Sequence, residues 1–351
     1  MRLFITGGAG FIGSNLIRYL LEKTDDKILN LDKLCYPGSR HTIESFNTQP
    51  NYQFIQQDLC DSKQLVDVIN DFQPDAIIHL AAESHVDRSI DSPQTFIDSN
   101  IVGTFNLLEA FRKYFKDSDE RLQRQLRFLH VSTDEVFGSL TDDDDPAKEQ
   151  DSYKPNSPYS ASKAASDHLV RAWGQTYNLP ILITNCSNNY GPYQFPEKLI
   201  PLIISKALAD KALPVYGDGS NIRDWVFVED HVYALYCVLN KGKLGDTYNI
   251  GGHCQLTNLE LVGNICDILD VLKPKEKSYK EQIEFVSDRP GHDYRYAIDI
   301  SKIQTEIGWS PNESFDSGLM KTILWYIENQ KWCDNVCFDT YDGQRLGLGT
   351  L

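Results

Sequence analysis

A glycine-rich turn follows the first apolar run of the chain and opens an amphipathic stretch. The apolar run is Leu3–Ile5, the turn reads TGGAGFIG from position 6 to 13, and a helical pattern extends from Phe11 to Glu22. Glycines permit a tight turn and let backbone amides approach a diphosphate at the positive end of a helix. The order of strand, glycine turn and helix is typical of α/β folds that bind dinucleotides, so it constrains the whole chain.

The alternation of short apolar runs and amphipathic stretches continues to about residue 185. It predicts five more strands, at Ile28–Leu31, Gln53–Ile55, Ala76–Leu80, Phe128–Val131 and Ile181–Asn185. Helical patterns lie between them, at Ser62–Asn70, Val102–Tyr114 and Pro158–Tyr177. This arrangement indicates βαβ units and therefore a doubly wound parallel Rossmann sheet of the α/β class.

The alternation loosens after Tyr190. Strand-like runs at Trp225–Val228 and Tyr248–Ile250 mix with helical patterns at Leu199–Leu208 and Leu259–Leu269. We therefore expect residues 1–190 to form a Rossmann domain that carries the reactive residues. Residues 191–351 are expected to form a smaller, mixed α/β C-terminal lobe that mainly binds the substrate.

Composition excludes several classes of partner. The net charge of -16 argues against a nucleic-acid surface, because neutralising phosphates requires clustered Lys and Arg. No apolar run approaches the ~20 residues that span a bilayer. The N-terminus begins with a strand pattern and lacks the features of a signal peptide. We expect a cytoplasmic protein that binds neither nucleic acid nor membrane.

An acidic residue stands at the end of the second predicted strand. Asp32 follows Gly13 by 19 positions, close to the ~20-residue spacing at which a carboxylate binds the ribose hydroxyls of a dinucleotide. A 2′-phosphate would be repelled there, which favours NAD over NADP, although Lys33 and Arg40 are near enough to weaken the argument. Asp58 follows the third strand and fits either the adenine edge or a helix cap.

Two groups of polar residues predict acid–base chemistry. Tyr159 and Lys163 share one face of a predicted helix, a spacing that also occurs by chance on surface helices. Thr133, Asp134 and Glu135 follow the strand Phe128–Val131, at the sheet edge where open α/β folds place ligands. A tyrosine must ionise before it accepts a proton, and lowering its pKa from ~10 to ~7 requires about 4 kcal/mol. A neighbouring ammonium and a positive nicotinamide ring would supply that energy.

Several longer segments carry a resemblance to a known family. They read HLAAESHVDRSI at 79–90, STDEVFG at 132–138, SPYSASKA at 157–164, NCSNNYGPYQFPEKLIP at 185–201, IRDWVFVEDH at 222–231, DRPGHDYRYAID at 288–299 and YDGQRLGL at 341–348. Together with the glycine turn, these segments are similar to the extended short-chain dehydrogenases/reductases. Within that family they resemble the dTDP-glucose 4,6-dehydratases.

The resemblance implies a reaction sequence. Tyr159, assisted by Lys163 and Thr133, would remove the hydroxyl proton at carbon 4 of the sugar while NAD accepts a hydride. Glu135 would then remove the hydrogen on carbon 5. Asp134, kept protonated, would give a proton to the hydroxyl that leaves carbon 6. The hydride returns to carbon 6, and the product is water and dTDP-4-dehydro-6-deoxyglucose.

The resemblance also implies binding residues. No metal is expected, because no second ligand pair with zinc-like spacing accompanies Cys333 and Cys337. The cofactor residues would be Gly7, Gly10, Phe11, Ile12, Gly13, Asp32, Lys33, Asp58, Leu59, Leu80, Ala81, Ala82, Tyr159, Lys163 and Asn188. The substrate residues would be Ser84, His85, Asp87, Thr133, Asn188, Glu197, Lys198, Leu199, Pro214, Tyr216, Arg223, Asn258, Arg289, His292 and Tyr296. Two of these, Arg223 and Arg289, are suited to bind the diphosphate of the nucleotide sugar.

Three alternatives remain open at this point. A dehydratase that acts on UDP-glucose needs the same sugar-facing groups, and a methyl group in an apolar pocket discriminates by only ~1 to 3 kcal/mol. An epimerase would keep Tyr159 and Lys163 but has no need of Asp134 and Glu135. A binding protein without activity would keep only the glycine turn.

As in relatives, the helices at 102–114 and 158–177 are expected to pair into a four-helix homodimer interface.

Overall fold

The computed structural model describes residues 1–35, 38–338 and 341. The family-like stretch at 341–348 therefore lies outside the described residues except for its first position. Within the described part of the chain, no helix combines the length and the apolar character that crossing a bilayer requires.

In the part of the chain that the structure describes, twelve strands form one large and two small sheets. The strands are β1 (Arg2–Thr6), β2 (Lys27–Asp32), β3 (Tyr52–Gln56), β4 (Ala76–His79), β5 (Arg127–Thr133), β6 (Ile181–Cys186), β7 (Asn188–Tyr190), β8 (Leu213–Tyr216), β9 (Ile222–Phe227), β10 (Thr247–Ile250), β11 (Gln255–Thr257) and β12 (Ile283–Val286). Seven of them form the main sheet in the order β10-β6-β5-β4-β1-β2-β3, and all neighbours are parallel. The six strands predicted before residue 190 are confirmed, and so is the doubly wound fold.

Helices connect the strands. They are α1 (Phe11–Lys23), α2 (Arg40–Ile43), α3 (Leu65–Phe72), α4 (Val86–Asp91), α5 (Pro93–Phe96), α6 (Gly103–Asp117), α7 (Glu120–Gln123), α8 (Pro158–Tyr177), α9 (Leu199–Leu208), α10 (Val228–Lys241), α11 (Asn258–Leu272), α12 (Ser301–Ile307), α13 (Phe315–Glu328) and α14 (Gln330–Cys337). Short 3₁₀ helices span Glu44–Thr48, Asp134–Phe137 and Tyr279–Gln282, and a π-helix spans Ile97–Val102.

Local sequence determines where α8 begins and ends. Ser157 forms a capping box with Ser160, and Pro158 occupies the first turn, where its missing amide hydrogen costs nothing. Asn178 adopts a left-handed conformation at the C-terminus, with φ of 55°. These signals fix the helix that carries Tyr159 and Lys163 relative to the sheet.

The main sheet is buried on both faces. One face packs against α1 and α10, through residues such as Leu16, Leu20 and Leu235. The other packs against α3, α6 and α8, with Leu107 and Phe111 at its centre. A third apolar cluster lies in the C-terminal region between α9, α11 and α13.

The small sheets lie mostly in the C-terminal region, although β7 precedes residue 191. One has the order β11-β9-β7 and the other pairs β12 with β8. The strand β10 also lies beyond residue 190, yet it pairs in parallel with β6 and completes the main sheet. The division of the chain at residue 190 stays a prediction, and β10 crosses it.

Candidate active site

The glycine turn between β1 and α1 requires glycine for steric reasons. Gly7 has φ of 76°, and a Cβ added there would lie 2.5 Å from the backbone nitrogen of Ala81. A Cβ at Gly13 would lie 2.3 Å from the carbonyl oxygen of Gly7. The helix α1 has no acidic residue in its first turn. Its positive end therefore faces the turn without a compensating side chain and suits a diphosphate.

Asp32 lies at the end of β2 beside this turn. Its carboxylate accepts hydrogen bonds from the backbone amides of Ala9, at 2.9 Å, and Leu34, at 2.8 Å. Lys33 is engaged elsewhere, because its Nζ lies 3.2 Å from Glu83 Oε1 and 2.8 Å from Ser99 Oγ. Lys33 and Arg40, the two cations that could attract a 2′-phosphate, therefore both have partners in the protein, because Arg40 donates a hydrogen bond to Gln56. The site fits a ribose better than a 2′-phosphate.

The triplet after β5 begins a short 3₁₀ helix. The hydroxyl of Thr133 accepts a hydrogen bond from the amide of Glu135 at 3.3 Å and donates one to Asp134 Oδ1 at 3.3 Å. Burial, and next to it the charge of Glu135, raises the pKa of Asp134 well above its ordinary value. Burial also raises the pKa of Glu135, but Arg289, Arg223 and Lys198 oppose that shift. Asp134 is thus the more strongly protonated of the two carboxyls.

Tyr159 and Lys163 lie side by side on the buried face of α8. The Nζ of Lys163 donates a hydrogen bond to the carbonyl oxygen of Val131 at 2.9 Å. Burial, followed by the charge of Glu135, raises the pKa of Tyr159 well above its ordinary value, and a hydrogen bond with Thr133 opposes this. The phenol is therefore protonated in the protein alone, and its ionisation needs additional positive charge.

Two cavities meet at this cluster. The first, which we call the glycine-turn cavity, is lined by every residue predicted to bind the cofactor. Those residues are Gly7, Gly10, Phe11, Ile12, Gly13, Asp32, Lys33, Asp58, Leu59, Leu80, Ala81, Ala82, Tyr159, Lys163 and Asn188. Thr133 and Glu135 line it as well.

The second cavity, which we call the lobe cavity, is lined by the predicted substrate residues apart from Thr133. They are Ser84, His85, Asp87, Asn188, Glu197, Lys198, Leu199, Pro214, Tyr216, Arg223, Asn258, Arg289, His292 and Tyr296. Asp134 lines neither cavity and lies buried behind Thr133. Ser84, Glu135, Asn188 and Lys198 line both cavities. Glu135 therefore faces both.

Charged groups are concentrated in the lobe cavity. The Nη1 of Arg289 lies 2.6 Å from Asp87 Oδ1, and the hydroxyl of Tyr216 donates to Asp87 Oδ2 at 3.3 Å. The Nη2 of Arg223 donates to the carbonyl oxygen of Asp293 at 3.0 Å. The buried guanidinium of Arg223 and the partly buried guanidinium of Arg289 provide the local positive charge that an anionic ligand needs in a chain of net charge -16.

Glu197 is a buried carboxylate of the lobe cavity. Its Oε2 lies 3.1 Å from Arg88 Nε, and its Oε1 lies 3.7 Å from His85 Nε2. Burial raises the pKa of Glu197 to about 8, and the neighbouring Lys198 opposes the shift. Lys198 donates to the carbonyl oxygen of Ser84 at 2.9 Å. These contacts anchor the segment before α9 to the loop after β4.

Some lining residues of the glycine-turn cavity were missed. Cys186 and Asn189 belong to the family-like stretch at 185–201, from which only Asn188 was predicted to bind the cofactor. Tyr193 and Trp332 also line this cavity, and their rings lie 5.6 Å apart. Trp332 comes from α14, near the end of the chain, and no local pattern relates it to the glycine turn.

Comparison with known proteins places this geometry in a family. The sequence model of the family described as GDP-mannose 4,6 dehydratase matches residues 4–322. The dTDP-glucose 4,6-dehydratase 1 of Escherichia coli (strain K12) is 54% identical over 349 residues, which are 97% of each chain. The dTDP-glucose 4,6-dehydratase of Neisseria meningitidis serogroup B (strain ATCC BAA-335 / MC58) is 54% identical over 352 residues, 99% of each chain. This chain belongs to the dTDP-glucose 4,6-dehydratase family.

A solved structure of the family has the same fold. The dTDP-glucose 4,6-dehydratase of Streptomyces venezuelae, solved with NAD bound, is 43% identical and superposes with a TM-score of 0.87 over 96% of this chain and 100% of that one. The resemblance to the extended short-chain dehydrogenases/reductases is thus confirmed. Among the residues that the structure describes, no group of three or more His, Cys, Asp or Glu side chains is arranged to hold a metal ion.

Proposed function

We propose that the chain is an NAD-dependent hydro-lyase that converts dTDP-glucose to dTDP-4-dehydro-6-deoxyglucose and water. The observation that carries this proposal is the position of Glu135, which faces both cavities next to Tyr159 and Lys163. A base at that junction can act on a sugar held between a cofactor on one side and a nucleotide on the other. The family membership supports the same reaction.

The glycine-turn cavity fits NAD. The glycine turn and the positive end of α1 would hold the diphosphate, and Asp32 would accept hydrogen bonds from the hydroxyls of the adenosine ribose. When bound, NAD supplies the hydride acceptor for carbon 4 and, once reduced, the hydride donor for carbon 6. The positive ring of bound NAD would add to the charge of Lys163 and would favour ionisation of Tyr159. The phenol of Tyr159, protonated in the protein alone, then ionises and accepts the proton of the carbon 4 hydroxyl.

Asp134 and Glu135 divide the elimination between them. Glu135 is the less strongly protonated carboxyl and removes the hydrogen on carbon 5. Asp134, which burial keeps protonated, supplies the proton for the hydroxyl that leaves carbon 6. Two neighbouring carboxyls whose environments separate their pKa values are the usual arrangement for an acid and a base. Asp134 lines neither cavity, but its Oδ1 lies 3.3 Å from the hydroxyl of Thr133, which lines the glycine-turn cavity.

The lobe cavity receives the nucleotide part of the substrate. Arg223 and Arg289 are placed to bind the diphosphate, and Tyr216 offers a ring on which the base can stack. Most residues of this cavity lie beyond position 190, which supports the division into a cofactor-binding and a substrate-binding part. The eight cysteines, all free thiols, are consistent with a cytoplasmic location.

The homodimer is proposed from the exposed face of α6 and α8. Val102, Phe105 and Tyr177 are each about two-fifths exposed, at 39%, 41% and 40%. The ring of Phe105 packs edge-on against Trp173 at 5.9 Å. Light scattering at micromolar concentration should give a dimer. Phe105→Glu should give a monomer, whereas Val271→Glu, at a side chain 76% exposed on α11, should not. A monomeric wild type would contradict this interface.

The activity is tested with two substrates. Purified protein is incubated with dTDP-glucose or UDP-glucose, with and without added NAD, and product mass is followed. Loss of one water from dTDP-glucose alone is the expected result. Loss of water from UDP-glucose at a similar rate would instead favour the UDP-glucose dehydratase. If neither sugar loses water even with added NAD, the dehydratase proposal fails and an epimerase becomes the next hypothesis.

A further inference from the structure

A buried carboxylate lies one helical turn beyond Lys163. Asp167 is fully buried on the same stripe of α8 as Tyr159 and Lys163, because residues four apart on a helix share a face. The His130 Nε2 lies 3.1 Å from Asp167 Oδ1. The hydroxyl of Tyr153 donates to Asp167 Oδ2 at 3.0 Å, and the Nδ2 of Asn185 donates to the same oxygen at 3.4 Å. Asp167 is therefore surrounded by hydrogen-bond donors on the side away from Tyr159.

The histidines around this carboxylate are neutral. Burial and the charge of Lys163 lower the pKa of His130, although Asp167 opposes the shift. His79, whose ring centre lies 5.2 Å from that of His130, has its pKa lowered well below the ordinary value by burial. Its two ring nitrogens contact Thr6 and Thr104. Neither imidazole supplies a positive charge that would balance Asp167.

Asp167 itself is ionised. Burial opposes the charged form, yet a hydrogen bond from His130 and the charge of Lys163 lower the pKa of this carboxyl. Burial likewise disfavours the charged form of Lys163 and lowers its pKa, and the charge of Asp167 opposes that shift. Each of the two buried groups thus favours the charged form of the other.

We infer that Asp167, held by His130 and Tyr153, is a positioning residue for catalysis that keeps Lys163 positively charged behind Tyr159. The inference rests on the function proposed above, because Tyr159 must ionise to accept the proton at carbon 4. Without the carboxylate, the buried Lys163 loses its counter-charge and its proton more easily. A neutral Lys163 no longer favours the phenolate of Tyr159, so the tyrosine would ionise only at higher pH.

Other titratable groups face these residues and remain in place in the test. Cys186 on β6 lies near Lys163 and Tyr159, while Glu135 and Asp134 lie near Tyr159 on the 3₁₀ helix. Arg171, four residues after Asp167, donates to the hydroxyl of Tyr153 at 3.4 Å. None of them is altered by a substitution at position 167, so a change in pH dependence reports on the carboxylate.

The test compares pH profiles of dTDP-glucose turnover for the wild type, Asp167→Asn and Asp167→Glu. For Asp167→Asn we expect an unchanged KM, a kcat about tenfold lower at pH 7, and an ascending limb shifted up by about one pH unit, so that the deficit shrinks toward pH 9. Asp167→Glu, which restores the charge, should return the limb to its wild-type position. The matched control is Asp230→Asn, which removes a buried carboxylate that accepts hydrogen bonds from the backbone amides of Asn312 and Glu313. It should not shift the ascending limb of the pH profile.

A purely structural role predicts a different result. If Asp167→Asn lowers kcat by the same factor at every pH, or leaves it unchanged, the inference is wrong. Should Asp167→Asn fail to fold, Tyr153→Phe tests the same point, because it removes one donor to the carboxylate but keeps the ring that packs on Phe137 at 5.2 Å. A smaller shift in the same direction is expected, and an unshifted profile overturns the inference.

The failure of this inference differs from the failure of the proposed function. A wild type that does not dehydrate dTDP-glucose contradicts the function itself. A wild type that does so, with variants whose profiles run parallel to it, contradicts only the role of Asp167.

Discussion

The two cavities that meet at Glu135 are built in different ways. The glycine-turn cavity is formed largely at the carboxyl ends of adjacent parallel strands, so short motifs bring its residues together. The lobe cavity is assembled from segments that lie far apart in the sequence, near positions 85, 198, 215, 223, 258 and 290. A cofactor site can therefore be predicted from the spacing of residues along the chain, whereas a substrate site depends on how distant loops pack.

The largest expected effect lies where the cavities meet. Glu135→Gln keeps the size of the side chain but removes the base, so dehydration should fall by a factor of ~10² to 10⁴. The affinity for dTDP-glucose should change little, because Gln occupies the same volume. Turnover is followed by product mass, and affinity by calorimetry.

The matched control for this change is Glu284→Gln, at an exposed position on β12. It should turn over like the wild type. If Glu135→Gln also retained full turnover, the base would have to lie elsewhere, and the junction of the cavities would lose its assigned role.

The next prediction separates the glycine-turn cavity from the lobe cavity. In Gly13→Ala the new Cβ would meet backbone atoms, at 2.3 Å from the Gly7 oxygen and 2.8 Å from the Gly8 Cα. Strain of ~1 to 3 kcal/mol is typical for such overpacking and would weaken NAD binding by about tenfold to a hundredfold. Binding of dTDP should remain within about twofold, because a distortion of the turn does not reach Arg289. Calorimetry with each ligand measures both.

A glycine with room around it provides the control. A Cβ at Gly263, on α11, would meet only the Lys280 Cε at 3.9 Å. Gly263→Ala should leave the affinity for both ligands unchanged. Equal losses for NAD and dTDP in Gly13→Ala would mean that the two cavities are not independent.

The reciprocal change is made in the lobe cavity. Arg289→Gln removes a partly buried guanidinium that pairs with Asp87 at 2.6 Å and is placed to bind the diphosphate. Loss of a charge-assisted hydrogen bond costs ~1.5 to 3 kcal/mol, so KM for dTDP-glucose should rise roughly tenfold to a hundredfold. The affinity for NAD should not change. Arg124→Gln, at an exposed ion pair with Glu120, serves as the control, and a larger effect on NAD than on KM would contradict the assignment.

How far the sequence could predict this molecule follows from the same contrast. The strands β1 to β6 were predicted within two residues at each end, because buried parallel strands read as short apolar runs between helices. The apolar run at 248–250 predicts the strand β10. Its pairing with β6 depends on long-range packing that no local sequence pattern indicates.

The site divides in the same way. The glycine turn, Asp32 and the Tyr159–Lys163 spacing followed from residues and distances along the chain. The residues of the lobe cavity were reached only through the family resemblance. The contact between His130 and Asp167 was missed altogether, because the pairing of a strand residue with a helix residue 37 positions later leaves no periodic signal.

The last prediction concerns stability and tests Asp134, the buried acid that lines neither cavity. The pKa of Asp134 is raised, first by burial and then by Glu135. The folded protein therefore holds a proton that the unfolded chain releases near its ordinary pKa of 3.8. Stability from this group is complete below that pH. It is lost as pH rises toward the folded pKa, by up to about 1.4 kcal/mol per pH unit.

Asp134→Asn cannot titrate, so its free energy of unfolding should decline less between pH 5 and pH 8 than that of the wild type. Urea unfolding at several pH values measures the difference, and Glu284→Gln should follow the wild type. Parallel curves for Asp134→Asn would mean that Asp134 ionises near its ordinary pKa. It would then carry no proton at neutral pH to give to the departing hydroxyl, and the acid would have to be sought among the groups that line the lobe cavity, where Glu197, with its pKa of about 8, is the nearest in character.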